Sequence, residues 1–322
     1  MPIVPLAPFL DHFLLGLLIY PYIRKKNMLE SIISPGTAER KPWDMTILGF
    51  VIASVAVWLG YYLAGYMLVP ASMVVLAVAI IALAPLMHRV IVIEEWEEEA
   101  CCHGSLTGFI TRHIDVIGMY SFLFVGLLAA FSFWYVVLPY EADGMPSGST
   151  VFGVQESAIT GLQQHITGRA LEAAKSGMPE DPATVSNRFT LLYENNMRIM
   201  LFCFLASFLF GAGAIWLIAW NASTIGVFIG SLIRTELFPV SPVYAYLIGF
   251  PYYSLSIALW AIPEILAYLV AGIAGGIVSV AVARHHFRSE RFWLTVFDGM
   301  LFMIIAALLV FLGAYIEHFF VI

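Results

Sequence analysis

Charge is scarce in this chain: 11% of its 322 residues are Asp, Glu, Lys or Arg, and three are cysteine. Soluble domains carry roughly 25% charged residues, so a soluble globular fold is excluded. Cys101 and Cys102 are adjacent and Cys203 lies inside an apolar run. Cys101-Cys102-His103 lacks the second ligand pair that a structural zinc site needs, so no metal is expected. The chain has no phosphate-binding P-loop, no HExxH and no GxSxG, which removes the commonest nucleotide, metalloprotease and serine-hydrolase chemistries. Gly211-Ala212-Gly213 lacks the third glycine of a dinucleotide loop and reads as packing in an apolar span. No nucleophile–base constellation is visible, so no enzyme activity, no cofactor and no nucleic-acid partner are expected. The first 23 residues have no basic n-region or small-residue cleavage site, and they do not read as a signal peptide.

Hydrophobic residues, in contrast, make up 61%. Several apolar runs exceed the 18 or so residues that mark a transmembrane helix. The expected fold is an all-α polytopic membrane protein with about seven transmembrane helices, a re-entrant segment and an external amphipathic helix. Residues 1–111 read as an N-terminal extension holding an interfacial segment and a transmembrane hairpin (about 45–69 and 71–93, turning at Pro70). Glu94–Glu99 reads as a solvated acidic helix end, without the ligand spacing of a calcium loop. Residues 112–322 read as a five-span domain, its spans near 116–138, 194–220, 222–234, 263–283 and 292–315. Basic loops at 24–41 and 284–291 place the N-terminus in the cytoplasm of a multi-pass cell-membrane protein and leave the 139–192 loop external. Within that loop Ile159, Leu162, Ile166, Ala170 and Ala173 keep helical spacing, as an amphipathic helix would.

Length arithmetic sets the last expectation about the fold. Leu237–Ala283 would be about 70 Å of helix, whereas Pro263–Ala283 is about 30 Å, one bilayer core. Pro263 therefore reads as the first residue of a span. Glu264 then falls in its first turn, and 244–260 becomes the re-entrant segment.

The intramembrane polar residues are the candidates for function, because polar groups in hydrocarbon are costly. They are Asn195, Asn196, Asn221, Glu264 and Asp298, with Glu264 and Asp298 as a candidate proton- or cation-binding pair. Arg234 and Glu236 read as an interfacial pair. Small residues supply packing positions. Gly211 and Gly213 lie on one span and Gly226 and Gly230 on the next. Ala271 and Gly275 belong to a four-residue stripe after Glu264, and Gly272 and Gly276 form GxxxG beside it.

Four motifs carry a family resemblance: GluAsnAsnMetArg (194–198), PheGlyAlaGlyAlaIle (210–215), TrpAsnAlaSer (220–223) and IleProGluIleLeuAlaTyr…AlaGlyIleAlaGlyGlyIle (262–277). Over about residues 112–315 they resemble the stage II sporulation protein M family, in its archaeal-type branch. The resemblance places the family's paired Asn on Asn195 and Asn196, a further Asn on Asn221 and its Glu on Glu264. The His-Gly that usually precedes that Glu is replaced here by Trp260 and Ala261. It implies a non-enzymatic membrane scaffold, with the lipid bilayer, copies of itself, and envelope or cell-surface proteins met through the external loop as partners. The residues alone leave a second reading open, a small transporter or channel built around Glu264, Asp298 and the Asn residues.

Overall fold

The structure is a computed structural model that describes residues 43–66, 68–100, 106–139, 147–175, 182–210, 214–237, 241–283 and 290–320. Eight helices make up the described residues: α1 (Trp43–Leu63), α2 (Ala71–Ala100), α3 (Leu106–Val137), α4 (Gly148–Lys175), α5 (Pro182–Phe210), α6 (Ala214–Leu237), α7 (Pro242–Ala283) and α8 (Glu290–Phe320). Five of them, α1, α3, α6, α7 and α8, hold segments long and apolar enough to cross a membrane, and α2 holds a shorter apolar segment, Ala71–Met87. The described elements are thus all helices, and the chain is a multi-pass membrane protein. The N-terminal interfacial segment and Gly211 and Gly213 lie outside the described residues.

The first hairpin turns where expected. The Tyr66 amide closes α1 on the Leu63 carbonyl at 3.0 Å, and the Pro70 carbonyl accepts the Met73 amide at 2.9 Å to start α2. Next, α1 lies along α3 in the same direction. Thr46 Oγ1 donates to the Phe122 carbonyl at 3.0 Å, and Trp134 Nε1 donates to Ser54 Oγ at 2.9 Å. Glycine permits the approach. A Cβ on Gly126 would stand 2.1 Å from the Thr46 carbonyl oxygen, and one on Gly49 2.7 Å from that of Leu123. Polar bonds and close backbones together hold helices that gain little from hydrophobic burial in lipid.

Two boundaries differ from the sequence expectation. The preceding helix, α5, is described to Phe210, and there is no break at Asn221, which lies inside α6 (Ala214–Leu237). Its side chain donates to the Leu217 carbonyl at 2.8 Å, one turn back, so this polar residue is satisfied without leaving the helix. The second correction is larger. Residues 242–283 form one continuous helix of 42 residues with Pro251 and Pro263 inside it. There is no re-entrant segment at 244–260, Pro263 does not start a helix, and Glu264 is not in a first turn. A proline removes one backbone bond, but packed neighbours in a membrane bundle can accommodate the freed group. At 1.5 Å per residue α7 is about 63 Å long, twice a hydrocarbon core of about 30 Å.

That length lets α7 take part in two sets of contacts. Its first half packs on α3 and α6, where Ala245 and Tyr246 join Val136, Ile229 and Ile233 in a buried cluster. Tyr246 also donates its hydroxyl to the Ala129 carbonyl at 2.9 Å. Its second half packs between α5 and α8. There a Cβ on Gly275 would stand 2.2 Å from the Phe204 carbonyl oxygen of α5. Ala271, Gly272 and Gly276 are buried along the same half.

The expected amphipathic helix is α4, longer than its periodic stretch and anchored at its start. Ser147 caps it: its Oγ accepts the Thr150 amide at 3.4 Å while Thr150 Oγ1 accepts the Ser147 amide at 3.4 Å, a reciprocal capping pair. Val151, Phe152 and Gln155 are buried, so its first turns sit within the bundle rather than on a surface.

Candidate functional site

The expected polar cluster divides. On α5, Glu194 and Arg198 lie one turn apart and form an exposed ion pair at 3.4 Å. Residues two apart on a helix point to opposite sides, so Asn196 between them turns inward and is buried. Its Nδ2 donates to Glu264 Oε1, and Asn195 Nδ2 donates to Asn196 Oδ1 at 3.2 Å. Asn195, Asn196 and Glu264 therefore form one hydrogen-bonded chain from the surface of α5 to a carboxylate only 8% exposed.

The third wall is α8. Gly313 faces Glu264 directly: a Cβ there would stand 2.5 Å from Glu264 Cγ and 3.2 Å from the Trp260 carbonyl oxygen. One turn further along α8, Glu317 lies within Coulombic range of Glu264 and of buried Tyr268. Sequence reasoning missed Gly313 and Glu317. The available signal was an i, i+4 pair of a small and an acidic residue at the end of an otherwise bulky span.

Asp298 and Asn221 stand apart from this chain. Gly299 meets Val278 while Gly313 meets Trp260 and Glu264, so α8 runs antiparallel to α7. Asp298 lies 15 positions from Gly313, about 22 Å along the helix axis. The Glu264–Asp298 pair does not form, because the register of α8 puts the two carboxylates at different depths. Asp298 Oδ2 is buried and accepts no hydrogen bond among the described residues. Asn221 bonds to its own helix. Gly226 and Gly230 face α3, where a Cβ on the first would meet Phe131 and Leu128 at 3.0–3.1 Å and one on the second the Tyr135 ring at 2.6 Å.

A second polar system lies at the end of α3. Arg234 Nε donates to the Tyr135 carbonyl at 2.9 Å, and its terminal nitrogen donates to the carbonyls of Val136, at 3.1 Å, and of Leu138. The guanidinium also lies 5.5 Å from the Tyr135 ring centroid. A cation on the last carbonyls of a helix satisfies acceptors that have no partner within it. The sequence pairs Arg234 with Glu236; the structure gives its guanidinium to α3. Tyr135 then donates its hydroxyl to Glu156 Oε1 at 2.8 Å, Gln155 Nε2 donates to Ser223 Oγ at 3.2 Å, and the Val154 amide donates to Ser72 Oγ at 3.3 Å. These bonds fasten the start of α4 to α2, α3 and α6.

Chemically, the Glu264 site offers one carboxylate with a fixed amide donor and a like-charged neighbour. Among the described residues no three His, Cys, Asp or Glu side chains are grouped to hold a metal ion. A cavity of about 250 Å³ between α3, α6 and α7 is lined by Ala261, Ile262, Ile265 and Leu266, on a different face of α7 from Glu264. Removing the donor should expose how much Glu264 depends on it. Asn196→Ala should destabilise the protein by about 2 kcal/mol, the cost of leaving a buried acceptor unpaired. Comparison with Asn195→Ala, at the exposed end of the chain, in detergent unfolding checks this; equal losses would mean that the buried bond contributes nothing special.

A family model described as stage II sporulation protein M matches residues 116–321, well over half of the chain. No curated protein and no solved structure matches it.

Proposed function

The chain belongs to the stage II sporulation protein M family, and from that premise we propose that it is a non-enzymatic membrane scaffold that gathers envelope or cell-surface partners through the 139–192 segment. The observation that carries this reading is the packing around Glu264. Asn196 holds one carboxylate oxygen, and Gly313 lets α8 close over the side chain. The adjoining 250 Å³ cavity takes its lining from neighbouring residues of α7 instead. A carboxylate held this way serves as a joint between α5, α7 and α8. The anchored start of α4 supports the other half of the reading, since a recruiting helix transmits position only if its base is fixed.

A transport reading keeps one specific observation in its favour, the Coulombic proximity of Glu264 and Glu317 on facing helices. Ionisable groups placed together inside a membrane mark ion pathways in transporters. Proteoliposome flux separates the two. Wild type should conduct no protons, sodium or potassium above protein-free vesicles, and Glu264→Gln should leave stability within about 1 kcal/mol, because the amide keeps an acceptor for Asn196 and removes a charge. Flux in wild type that Glu264→Gln abolishes would overturn the scaffold reading. For the partner, a photo-crosslinker at exposed Gly161 should capture an envelope protein in cells; capture of lipid alone would remove the recruiting role.

A further inference from the structure

The outside of the bundle carries two apolar belts at different heights. The first comprises Ile47, Val51 and Val55 on α1 and Leu247, Leu255 and Ile262 on α7, all about half exposed or more. Aromatic residues edge it: Trp43 stands at one end of α1, with Trp58 and Tyr62 at the other. From Trp43 to Tyr62 is about 29 Å of helix, matching a hydrocarbon core of about 30 Å. The second belt comprises Leu205 and Leu209 on α5 and Phe297, Ile304, Leu308 and Phe311 on α8. Among described side chains, α7 exposes no large hydrophobic beyond Ile262. The lipid-facing role passes from α7 to α5 and α8 at that point.

Inter-helix contacts fix the relative heights. Val51 lies between Gly49, which meets Leu127, and Ser54, which meets Trp134. Leu128, beside them on α3, packs together with Phe250 and Tyr253 against the buried cluster of Val136, Ile229, Ile233, Ala245 and Tyr246. The centre of the first belt is therefore level with the Phe250–Ser254 turn of α7. Ile304 lies between Gly299, which meets Val278, and Gly313, which meets Trp260 and Glu264, so the centre of the second belt is level with about Val270. Some 18 residues of α7 separate the two centres, roughly 27 Å at 1.5 Å per residue. The exposed Glu194–Arg198 ion pair reinforces the offset. It flanks Asn196, level with Glu264, at the edge of the second belt nearest the first.

One flat bilayer cannot cover both belts on an upright bundle. Rigid tilting does not solve this either. From α1 through α3 and α7 to α8 there are three packing steps of about 8–10 Å, so a 27 Å offset needs a tilt of at least about 40–45°, at or beyond the observed 0–40° range. We infer that the bilayer meets this protein at two heights, so that the membrane steps or bends across it from the α1–α3 side to the α5–α8 side. The occupant of both belts is lipid hydrocarbon: the first lies on α1 and α7 and the second has α8 at its centre, all apolar enough to cross a membrane, and exposed Trp293 and Tyr315 bound the second over about 33 Å of α8, close to a hydrocarbon core of about 30 Å. Pro263 falls at the changeover, where a missing backbone bond lets α7 bend. This goes beyond the organising role and does not depend on it.

The test uses the full chain in phosphatidylcholine vesicles, imaged by cryo-electron microscopy so that the headgroup layers are seen beside the helices. The expected result is a displacement of both leaflets by about 20 Å or more between the α1 and α8 faces. Nitroxides at Val51 and Ile304, placed singly, should both be accessible to oxygen and protected from aqueous nickel. A flat bilayer overturns the proposal in each of its forms. Either nitroxide could report water, spin–spin broadening could reveal a second copy over one belt, or the helices could prove to be tilted rigidly. The unlabelled chain alone decides the imaging arm, so a substitution that misfolds does not rescue the idea. Capture of partners at Gly161 is read separately, and its failure would leave the bilayer result standing.

Discussion

Gly126→Ala should lower stability by about 3 kcal/mol, the upper end for one methyl group forced into a packed site. The added carbon would stand 2.1 Å from the Thr46 carbonyl oxygen and 2.9 Å from two further backbone atoms of α1. A backbone cannot rotate away as a side chain can, so the helices must part. The Thr46–Phe122 and Trp134–Ser54 bonds then stretch as well. Gly275→Ala should behave alike, with the Phe204 carbonyl oxygen at 2.2 Å. Gly118 provides the control. A Cβ there meets nothing within 4 Å, and alanine favours helix over glycine by up to about 1 kcal/mol, so Gly118→Ala should be neutral or stabilising. Unfolding midpoints in mixed detergent micelles measure all three. A clear loss at position 126 with none at position 118 is the expected signature; equal shifts would mean that α1 and α3 do not cross as described.

Arg234→Met should cost about 3 kcal/mol. It leaves the carbonyls of Tyr135, Val136 and Leu138 without their cationic donor, and hydrogen bonds from charged groups contribute about 1.5–3 kcal/mol each without simple addition. Arg234→Lys should recover only part of the loss, because an ammonium is a point charge where a guanidinium reaches several acceptors at once. The effect should extend to α4. Freed from its place beneath Arg234, Tyr135 holds Glu156 less firmly, so amide exchange at residues 148–157 should quicken in Arg234→Met. Unchanged exchange there would show that α4 is anchored only by its bonds to Ser72 and Ser223.

Most of the helices are legible in the residues because long apolar runs leave a membrane chain few alternatives. What misleads is the weight given to single polar or imino residues. Asn221 looks like a break and is not one, since a carbonyl one turn back accepts its amide. Pro263 looks like a helix start because its span then equals one bilayer, but α7 runs through it, two bilayers long, and shares itself between two sets of partners. Within the site, Asn195, Asn196 and Glu264 are legible as polar residues in apolar surroundings. That they form one chain is not legible, because it depends on α5 and α7 running parallel, 68 positions apart in sequence. Asp298 fails for the same reason, an antiparallel register that no local pattern encodes. Arg234 and Gly313 are recognised only through the atoms they face.

The bond between Arg234 and the Leu138 carbonyl also has a history in time. It joins residues 96 positions apart, and a ribosome adds about 5–20 residues per second. The end of α3 therefore waits roughly 5–20 s after its synthesis before its cation exists. During that interval its carbonyls must be served by water or by the translocation machinery, and α4 is made after Ser72 and Tyr135, which hold its start, but before Ser223 and Arg234. The terminus of α3 is consequently a seam that stays open in the growing chain until the arrival of α6 closes it.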